Sequence, residues 1–95
     1  MPDRPRLRLI IYDVADNRRR RRIAKILEER AARVQESAFE ARLSEAQFSR
    51  LRAKLTAVST IEDSLRFYTI PDPALSRCHV TGGPMIADGA RFWLM

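Results

Sequence analysis

The fold is decided by residues 7–31, which read LRLIIYDVADNRRRRRIAKILEERA. The stretch opens with a continuous apolar run, which is typical of a strand that is covered on both faces and lies centrally in a sheet. We therefore predict a strand over residues 7–13. Asp16 offers a side-chain oxygen that can cap a helix, and the apolar residues after it recur at helical spacing. A helix over residues 17–31 is predicted to follow the strand directly.

Two further elements are predicted downstream of this first strand and helix. Within residues 34–43 apolar side chains alternate with charged ones, as expected of one long, half-exposed strand. Ser44 and Gln47 have the spacing of a capping box, in which each residue satisfies a backbone N–H at the start of a helix. A second helix is therefore predicted over residues 45–58.

The C-terminal part of the chain adds the remaining strands. Residues 61–70 are rich in aromatic and β-branched side chains and end before two prolines, and residues 77–81 can form a short further strand before a Gly-Gly-Pro turn. This order predicts an α+β protein with a ferredoxin-like βαββαβ sandwich, in which two helices cover one face of a four-stranded sheet. We expect residues 1–95 to form a single domain.

The sequence ends in an apolar tail, Phe92-Trp93-Leu94-Met95. Such a tail is poorly ordered and prone to aggregation if it is left exposed. We expect residues 90–95 to form an additional strand that pairs with its own sheet or with the sheet edge of a second copy, which favours a homodimer. A tail folded back on its own core is the alternative.

Composition excludes several classes of protein. The 95 residues are 45% apolar and 32% charged, which is typical of a globular chain. The longest apolar run is far shorter than the roughly 18 residues of a membrane span, so we predict a cytoplasmic protein with no membrane partner. The single cysteine, Cys78, excludes an internal disulfide and a four-cysteine zinc site. None of the three glycines has a phosphate-cradling spacing, so nothing in the chain supports ATP or NAD chemistry.

The positive charge lies in the N-terminal half of the chain. Residues 1–54 carry 15 basic and 8 acidic side chains, a balance of +7, whereas residues 55–95 carry 3 and 4, a balance of −1. Nearly all the basic residues are arginines, which bind phosphate in a bidentate manner, so we predict a polyanionic partner. Arg4, Arg6 and Arg8 share one side of the first strand, where they either extend a basic track or serve solubility.

Five consecutive arginines open the first predicted helix. Cations there oppose the helix macrodipole by about 0.3–1 kcal/mol each, which indicates a role other than folding. Helical spacing directs Arg18, Arg21 and Arg22 outward, where we predict contacts to nucleic-acid phosphates. It turns Arg19 and Arg20 inward, toward carboxylates or apolar surface. A solvated charged face without a ligand is the alternative interpretation of the run.

Asp13 lies where the first strand turns into the first helix, a position from which sheets commonly present functional groups. Magnesium uses one or two carboxylates together with water and phosphate oxygens, so one Asp13 makes half a site and a symmetric pair makes a plausible one. A plain turn or capping role is the alternative for an aspartate at this position. The serines lack a histidine-based partner, so nucleophilic catalysis has no support.

Three ordered blocks of the sequence make the chain resemble one family. The blocks cover residues 11–22, 33–40 and 62–68, and read IYDVADNRRRRR, RVQESAFE and EDSLRFY. The chain resembles the small CRISPR-associated endonuclease-like proteins, the non-integrase subunit of the spacer-acquisition complex. The resemblance extends over residues 7–83, and beyond them only the apolar terminal strand matches.

The resemblance implies a ferredoxin-like homodimer whose C-terminal strand adds to the sheet of the other subunit, with an integrase subunit as partner. It implies that paired Asp13 side chains bind Mg²⁺ and are the catalytic residues in phosphodiester cleavage of RNA or double-stranded DNA. It also implies a function of another class, a non-catalytic architectural adaptor that bridges integrase dimers and holds the spacer duplex by its backbone. A third hypothesis, a stand-alone RNA-recognition module, is weakened because the aromatic strand signature of such modules is absent.

Overall fold

A computed structural model describes residues 3–86 of the chain. Its elements in chain order are β1 (Arg6–Asp13), α1 (Asn17–Glu28), β2 (Ala32–Gln35), β3 (Ala38–Leu43), α2 (Glu45–Val58), β4 (Ser64–Ile70) and a 3₁₀-helix (Asp72–Arg77). The four strands form one sheet in the order β2-β3-β1-β4, and every neighbouring pair is antiparallel. This is the predicted α+β architecture, with the βαββαβ order and strand arrangement of a ferredoxin-like sandwich.

β1 lies at the centre of the sheet, as its apolar run predicts, and its two faces have different surroundings. Ile10 is opposite Phe39 on β3 and opposite Phe67 on β4, so these three side chains share one face. Both helices cover that face. The other face, which we call the open face, carries the side chains of Leu9 and Ile11, which are only partly buried.

The core lies between the sheet and the two helices. α1 contributes two buried side chains and α2 contributes three, and they pack with the helix-side residues of the strands. These residues are Ile23 and Leu27 from α1, and Phe48, Leu51 and Leu55 from α2. Burial of each such side chain contributes about 1.5–3 kcal/mol to folding. The helices are therefore held on the sheet by the apolar stripes that the sequence predicts.

Both predicted helix starts are confirmed. The carboxylate of Asp16 accepts a hydrogen bond from the backbone N–H of Arg19 at 2.8 Å. Ser44 and Gln47 form the complete capping box of α2. A contribution not foreseen from the sequence comes from Asp3, which accepts bonds from the first two backbone N–H groups of α2 at 2.7 and 3.1 Å. These bonds lower the pKa of Asp3 below its ordinary value.

The prediction of one long strand over residues 34–43 is wrong, because these residues belong to a hairpin of β2 and β3. Gln35 is opposite Ala38, which leaves Glu36 and Ser37 as the turn. The turn contains none of the glycine, proline or asparagine residues that usually mark one. It is fixed instead from outside, by a bond from the backbone N–H of Tyr12 to the carbonyl of Ser37 at 3.0 Å.

The prediction of a short strand over residues 77–81 is also wrong. The 3₁₀-helix occupies the chain up to Arg77, and residues 78–81 adopt no regular structure. Pro71 and Pro73 account for the start of the 3₁₀-helix, because proline has a backbone angle suited to the first turn of a helix. The fourth strand of the sheet comes from the hairpin instead.

Two predicted boundaries shift by three residues. α1 ends at Glu28 rather than at residue 31, because the backbone N–H groups of Arg30 and Ala31 both donate to the carbonyl of Leu27 and close the helix. β4 begins at Ser64 rather than at residue 61, because the preceding residues form a turn. The predicted turn beyond residue 81 is confirmed.

The strand predicted over residues 90–95, with its role in a homodimer, lies outside the described residues. In the part of the chain that the structure describes, no helix is long and apolar enough to cross a membrane.

Candidate functional site

Asp13 is the last residue of the central strand, and its side chain lies on the open face of the sheet. The preceding residue, Tyr12, is buried against the helices, and Asp13 is opposite Ser64 at the start of β4. Asp13 is exposed, and within residues 3–86 its carboxylate has no hydrogen-bond or ion-pair partner. It is not the cap of α1, because Asp16 has that role. A carboxylate without a structural partner is available to a cation.

Arg18, Arg21 and Arg22 lie on the outer side of α1, as helical spacing predicts. All three are exposed, and none has an ion pair or a side-chain hydrogen bond with another described residue. Their guanidinium groups are free to make bidentate contacts with phosphate oxygens.

Arg19 turns inward and pairs with Asp63, the residue before β4. Its Nε donates to one carboxylate oxygen at 2.9 Å and its Nη2 donates to the other at 3.2 Å. Asp63 also accepts from the backbone N–H of Thr60 at 2.8 Å, and its side chain is 1% exposed. The guanidinium bonds are the main reason that the pKa of Asp63 lies below its ordinary value, and the same bonds raise the pKa of Arg19.

Arg20 also turns inward and holds the loop between β1 and α1. Its Nη1 donates to the backbone carbonyls of Val14 and Ala15 at 3.0 and 3.2 Å, and its Nη2 donates to the side chain of Asn17. The division of the arginine run into inward and outward members is therefore as predicted. The partner of Arg19 was not identified from the sequence, although Asp63 lies at the start of a predicted strand.

Arg8 and Arg4 do not form the basic track that the spacing of the N-terminal arginines allowed. Arg8 is 3% exposed and donates from Nε to the carbonyl of Leu43 at 3.0 Å. Its guanidinium also lies 4.5 Å from the ring centroid of Phe48. Arg4 pairs with Asp72 at 3.4 Å. Arg8 is thus a core residue rather than a phosphate contact or a flexible solubilising one.

Asp13 fits a magnesium site as one ligand of several. Within residues 3–86, no group of three or more His, Cys, Asp or Glu side chains is placed to hold a metal ion. Mg²⁺ is commonly held by one or two carboxylates, with waters and substrate phosphate oxygens completing its coordination. The single free carboxylate of Asp13 matches that pattern as one protein ligand.

The fold and the site define a class of protein, a small ferredoxin-like domain with a free carboxylate at the end of its central strand and a cationic start to its first helix. A comparison with protein families matches residues 6–78 to the model described as CRISPR associated protein Cas2. The chain belongs to the CRISPR-associated Cas2 family, which confirms the resemblance seen in its sequence.

Individual proteins agree with this assignment. A relative from Synechocystis, named CRISPR-associated endoribonuclease Cas2 3, is 40% identical over 79 residues, which cover 82% of this chain and 86% of the relative. The CRISPR-associated endoribonuclease Cas2 of Thermus thermophilus is 46% identical over 70 residues, which cover 73% and 74% of the two chains.

Solved structures also share the fold. Cas2 of Streptococcus pyogenes has a TM-score of 0.69 at 30% identity, covering 80% of this chain and 99% of the other. A chain from a structure described as a partial Cas6-RT-Cas1–Cas2 complex has a TM-score of 0.71 at 28% identity, covering 87% and 92%.

Proposed function

We propose that this chain is a homodimeric endonuclease subunit of CRISPR spacer acquisition that binds nucleic-acid backbone and hydrolyses phosphodiester bonds of RNA or double-stranded DNA with Mg²⁺. The relatives named as endoribonucleases support the reaction, and the complex that contains Cas1 and Cas2 supports an integrase subunit as partner. The observation that carries the proposal is the exposed, unpartnered carboxylate of Asp13 at the end of the central strand.

The open face supports the homodimer. Leu9 and Ile11 are only partly buried there, and Tyr68 on the neighbouring strand is 44% exposed. A second copy packed against this face would bury apolar surface, which a domain of this size needs. It would also bring a second Asp13 toward the first, because both side chains lie on that face. In this proposal the 95 residues form one ferredoxin-like domain that works in the cytoplasm.

Asp13 is the catalytic residue and the metal ligand of this proposal. When bound, Mg²⁺ polarises a phosphate oxygen and makes a bound water a stronger nucleophile. The protein's own part is to present the Asp13 carboxylate at a fixed place, since β1 is paired on both sides and cannot shift. Arg18, Arg21 and Arg22 hold the substrate by its phosphates, without reading its sequence.

The test replaces Asp13 with Asn, which keeps the shape of the side chain and removes its charge. Cleavage of labelled RNA and labelled duplex is measured with Mg²⁺ and with EDTA. We expect D13N to lose roughly 100-fold or more of the Mg²⁺-dependent rate, because a lost metal ligand removes several kcal/mol of transition-state stabilisation. Binding of both nucleic acids should persist.

The matched control is Asp16→Asn, which removes the same charge three residues away while asparagine still caps α1. D16N should cleave as the wild type does. Undiminished cleavage by highly purified D13N would refute Asp13 as the catalytic residue.

The adaptor function is the second candidate, and the likeness to a chain from a Cas1–Cas2 complex favours it. In that function the outer arginines hold the duplex while the integrase does the chemistry. The same D13N variant separates the two functions. If the D13N variant still supports spacer acquisition, the protein has an architectural role. If D13N loses both cleavage and spacer acquisition, the role is catalytic.

A further inference from the structure

A small cleft lies on the outer side of the helix layer, between the C-terminal end of α1 and the first part of α2, and encloses about 100 Å³. Its rim carries three cations, Arg30, Arg50 and Lys54. All three are exposed, and none has an ion pair or side-chain hydrogen bond with another described residue. Arg50 and Lys54 are four residues apart on one helix, where like charges repel and destabilise the helix. Folding therefore gains nothing from this arrangement.

The cleft is continuous with the arginines at the start of α1. Arg18, Arg22 and Ile26 are spaced at i, i+4 and i+8, so they follow one side of α1, and Arg30 lies two residues beyond the end of that helix. From Arg18 to the end of α1 at Glu28 this track is about 15 Å long at the rise of an α-helix. A DNA duplex carries one charge per roughly 1.7 Å of its axis, so a track of this length can meet several phosphates of one bound duplex.

The exposed charges of the helix layer are mostly positive. Residues 17–30 and 45–58 together expose eight basic side chains against three acidic ones. Two of the three acidic residues already have partners, since Glu28 pairs with Arg33 and Glu45 pairs with Arg8. The third, Glu29, lines the cleft and offsets one of its three cations. The helix layer therefore presents a broad cationic surface.

The lining of the cleft favours a phosphate backbone over an apolar peptide as its ligand. Leu43 and Leu51 form part of its floor but are only 2% and 4% exposed, so the partly buried side chain of Ile26 is its main apolar contact, and charged side chains form the rim. At about 100 Å³, the cleft is also smaller than the roughly 300–1,000 Å³ that is typical of small-molecule pockets. Its accessible chemistry is that of three cations and one carboxylate, a net positive charge held at the end of α1 and along α2.

We propose that Arg30, Arg50 and Lys54 form a second contact with nucleic-acid backbone, so that a bound duplex lies along the helix layer from the start of α1 to the α1–α2 cleft. The inference rests on the proposed function, since it adds a second contact for the same ligand. Nothing in the sequence pattern identified these residues, because the cleft combines the end of one helix with the beginning of another.

The test measures the salt dependence of duplex binding by fluorescence anisotropy for the double variant Arg30→Gln/Arg50→Gln. Each lost phosphate contact lowers the log–log salt slope by about 0.9, so we expect a slope smaller by about 1.8 than that of the wild type. The matched control is Arg6→Gln/Arg77→Gln, which removes the same net charge from residues outside the helix layer and should leave the slope unchanged. Both variants should keep the circular-dichroism spectrum of the wild type, since none of the four side chains has an ion pair or side-chain hydrogen bond within residues 3–86.

The triple variant Arg18→Gln/Arg21→Gln/Arg22→Gln is measured in parallel, and it tests the proposed function separately. If the triple variant loses slope while R30Q/R50Q binds as the wild type does, the cleft proposal is overturned and the proposed function stands. That result would indicate an acidic protein, rather than a nucleic acid, as the ligand of the cleft. If neither variant differs from the control, the proposed nucleic-acid interface itself is wrong.

A second measurement does not depend on substitutions. The chain has only two lysines, Lys25 and Lys54, so acetylation of Lys54 can be followed directly by mass spectrometry. We expect a bound duplex to slow acetylation of Lys54 several-fold, and high salt that releases the duplex to restore it. Equal acetylation of Lys54 with and without a bound duplex would overturn the proposal.

Discussion

The five arginines of residues 18–22 have different roles, and the contacts of each side chain determine which role it has. Arg19 is held by the carboxylate of Asp63, whereas Arg18 next to it has no partner among the described residues. Helical geometry alone predicts which arginines turn inward, because the apolar stripe of α1 fixes the rotation of the helix. It does not predict the partner of Arg19, because Asp63 is 44 residues away along the chain.

The pair of Arg19 and Asp63 predicts a pH-dependent stability. Because the pKa of Asp63 is lowered on folding, the pair stabilises the protein above the ordinary carboxyl value of 3.8, and this stabilisation is lost as the pH falls through the lowered value. Asp63→Asn should therefore melt at a lower temperature than the wild type at neutral pH. The difference should close in strong acid.

Thermal unfolding followed by circular dichroism across this pH range provides the measurement. The titration of Asp3 is common to both proteins and cancels in the comparison. A gap between wild type and D63N that stays constant from neutral pH to strong acid would contradict the assigned role of Asp63.

Among the helices, strands and turns, the sequence predicts those whose signals lie within a few neighbouring residues. The capping box at Ser44 and the apolar stripes of both helices are short-range signals, and the elements they predict are present. The turn at Glu36 and Ser37 is fixed by a backbone bond from Tyr12, so it depends on a contact that no local pattern contains. The same limit applies to Asp13, whose position at a strand end was predictable whereas its lack of a partner among residues 3–86 was not.

The capping box gives a prediction at this scale. Ser44→Ala removes the acceptor for the backbone N–H of Gln47 and should lower the free energy of unfolding by about 1 kcal/mol. The measurement is urea unfolding, in which the midpoint should fall while the slope stays the same. Ser49→Ala, an exposed position within α2, serves as the control and should be neutral or slightly stabilising. An equal effect of the two substitutions would show that the cap contributes nothing.

For the whole molecule, the two faces of the sandwich divide the proposed work. The open face carries Asp13 and partly buried apolar residues, and the helix layer carries the free cations. In the proposed function, self-association and metal binding use the open face, and the arginines that hold the substrate lie on the helix layer. A small domain can support both because the sheet separates them.

Deletion of residues 90–95 tests the association. The apolar terminus is expected to pair with a sheet edge of the second copy, so the truncated protein should run as a monomer or aggregate in light scattering. The full-length protein at the same concentration is the control. A truncated protein that remains a well-behaved dimer would remove the C-terminal strand from the dimer contact.

The placement of Asp13 on the opposite side of the sheet from the cationic helices makes the stiffness of the ligand decisive. A DNA duplex does not bend appreciably over a few base pairs, since its persistence length is about 150 base pairs. A duplex held by the outer arginines of α1 therefore presents to the Asp13 carboxylate only the few phosphates that pass the end of the sheet, whereas a flexible single strand can bend toward it. Rigidity would then set how many phosphodiester bonds of a bound nucleic acid come within reach of the proposed metal site.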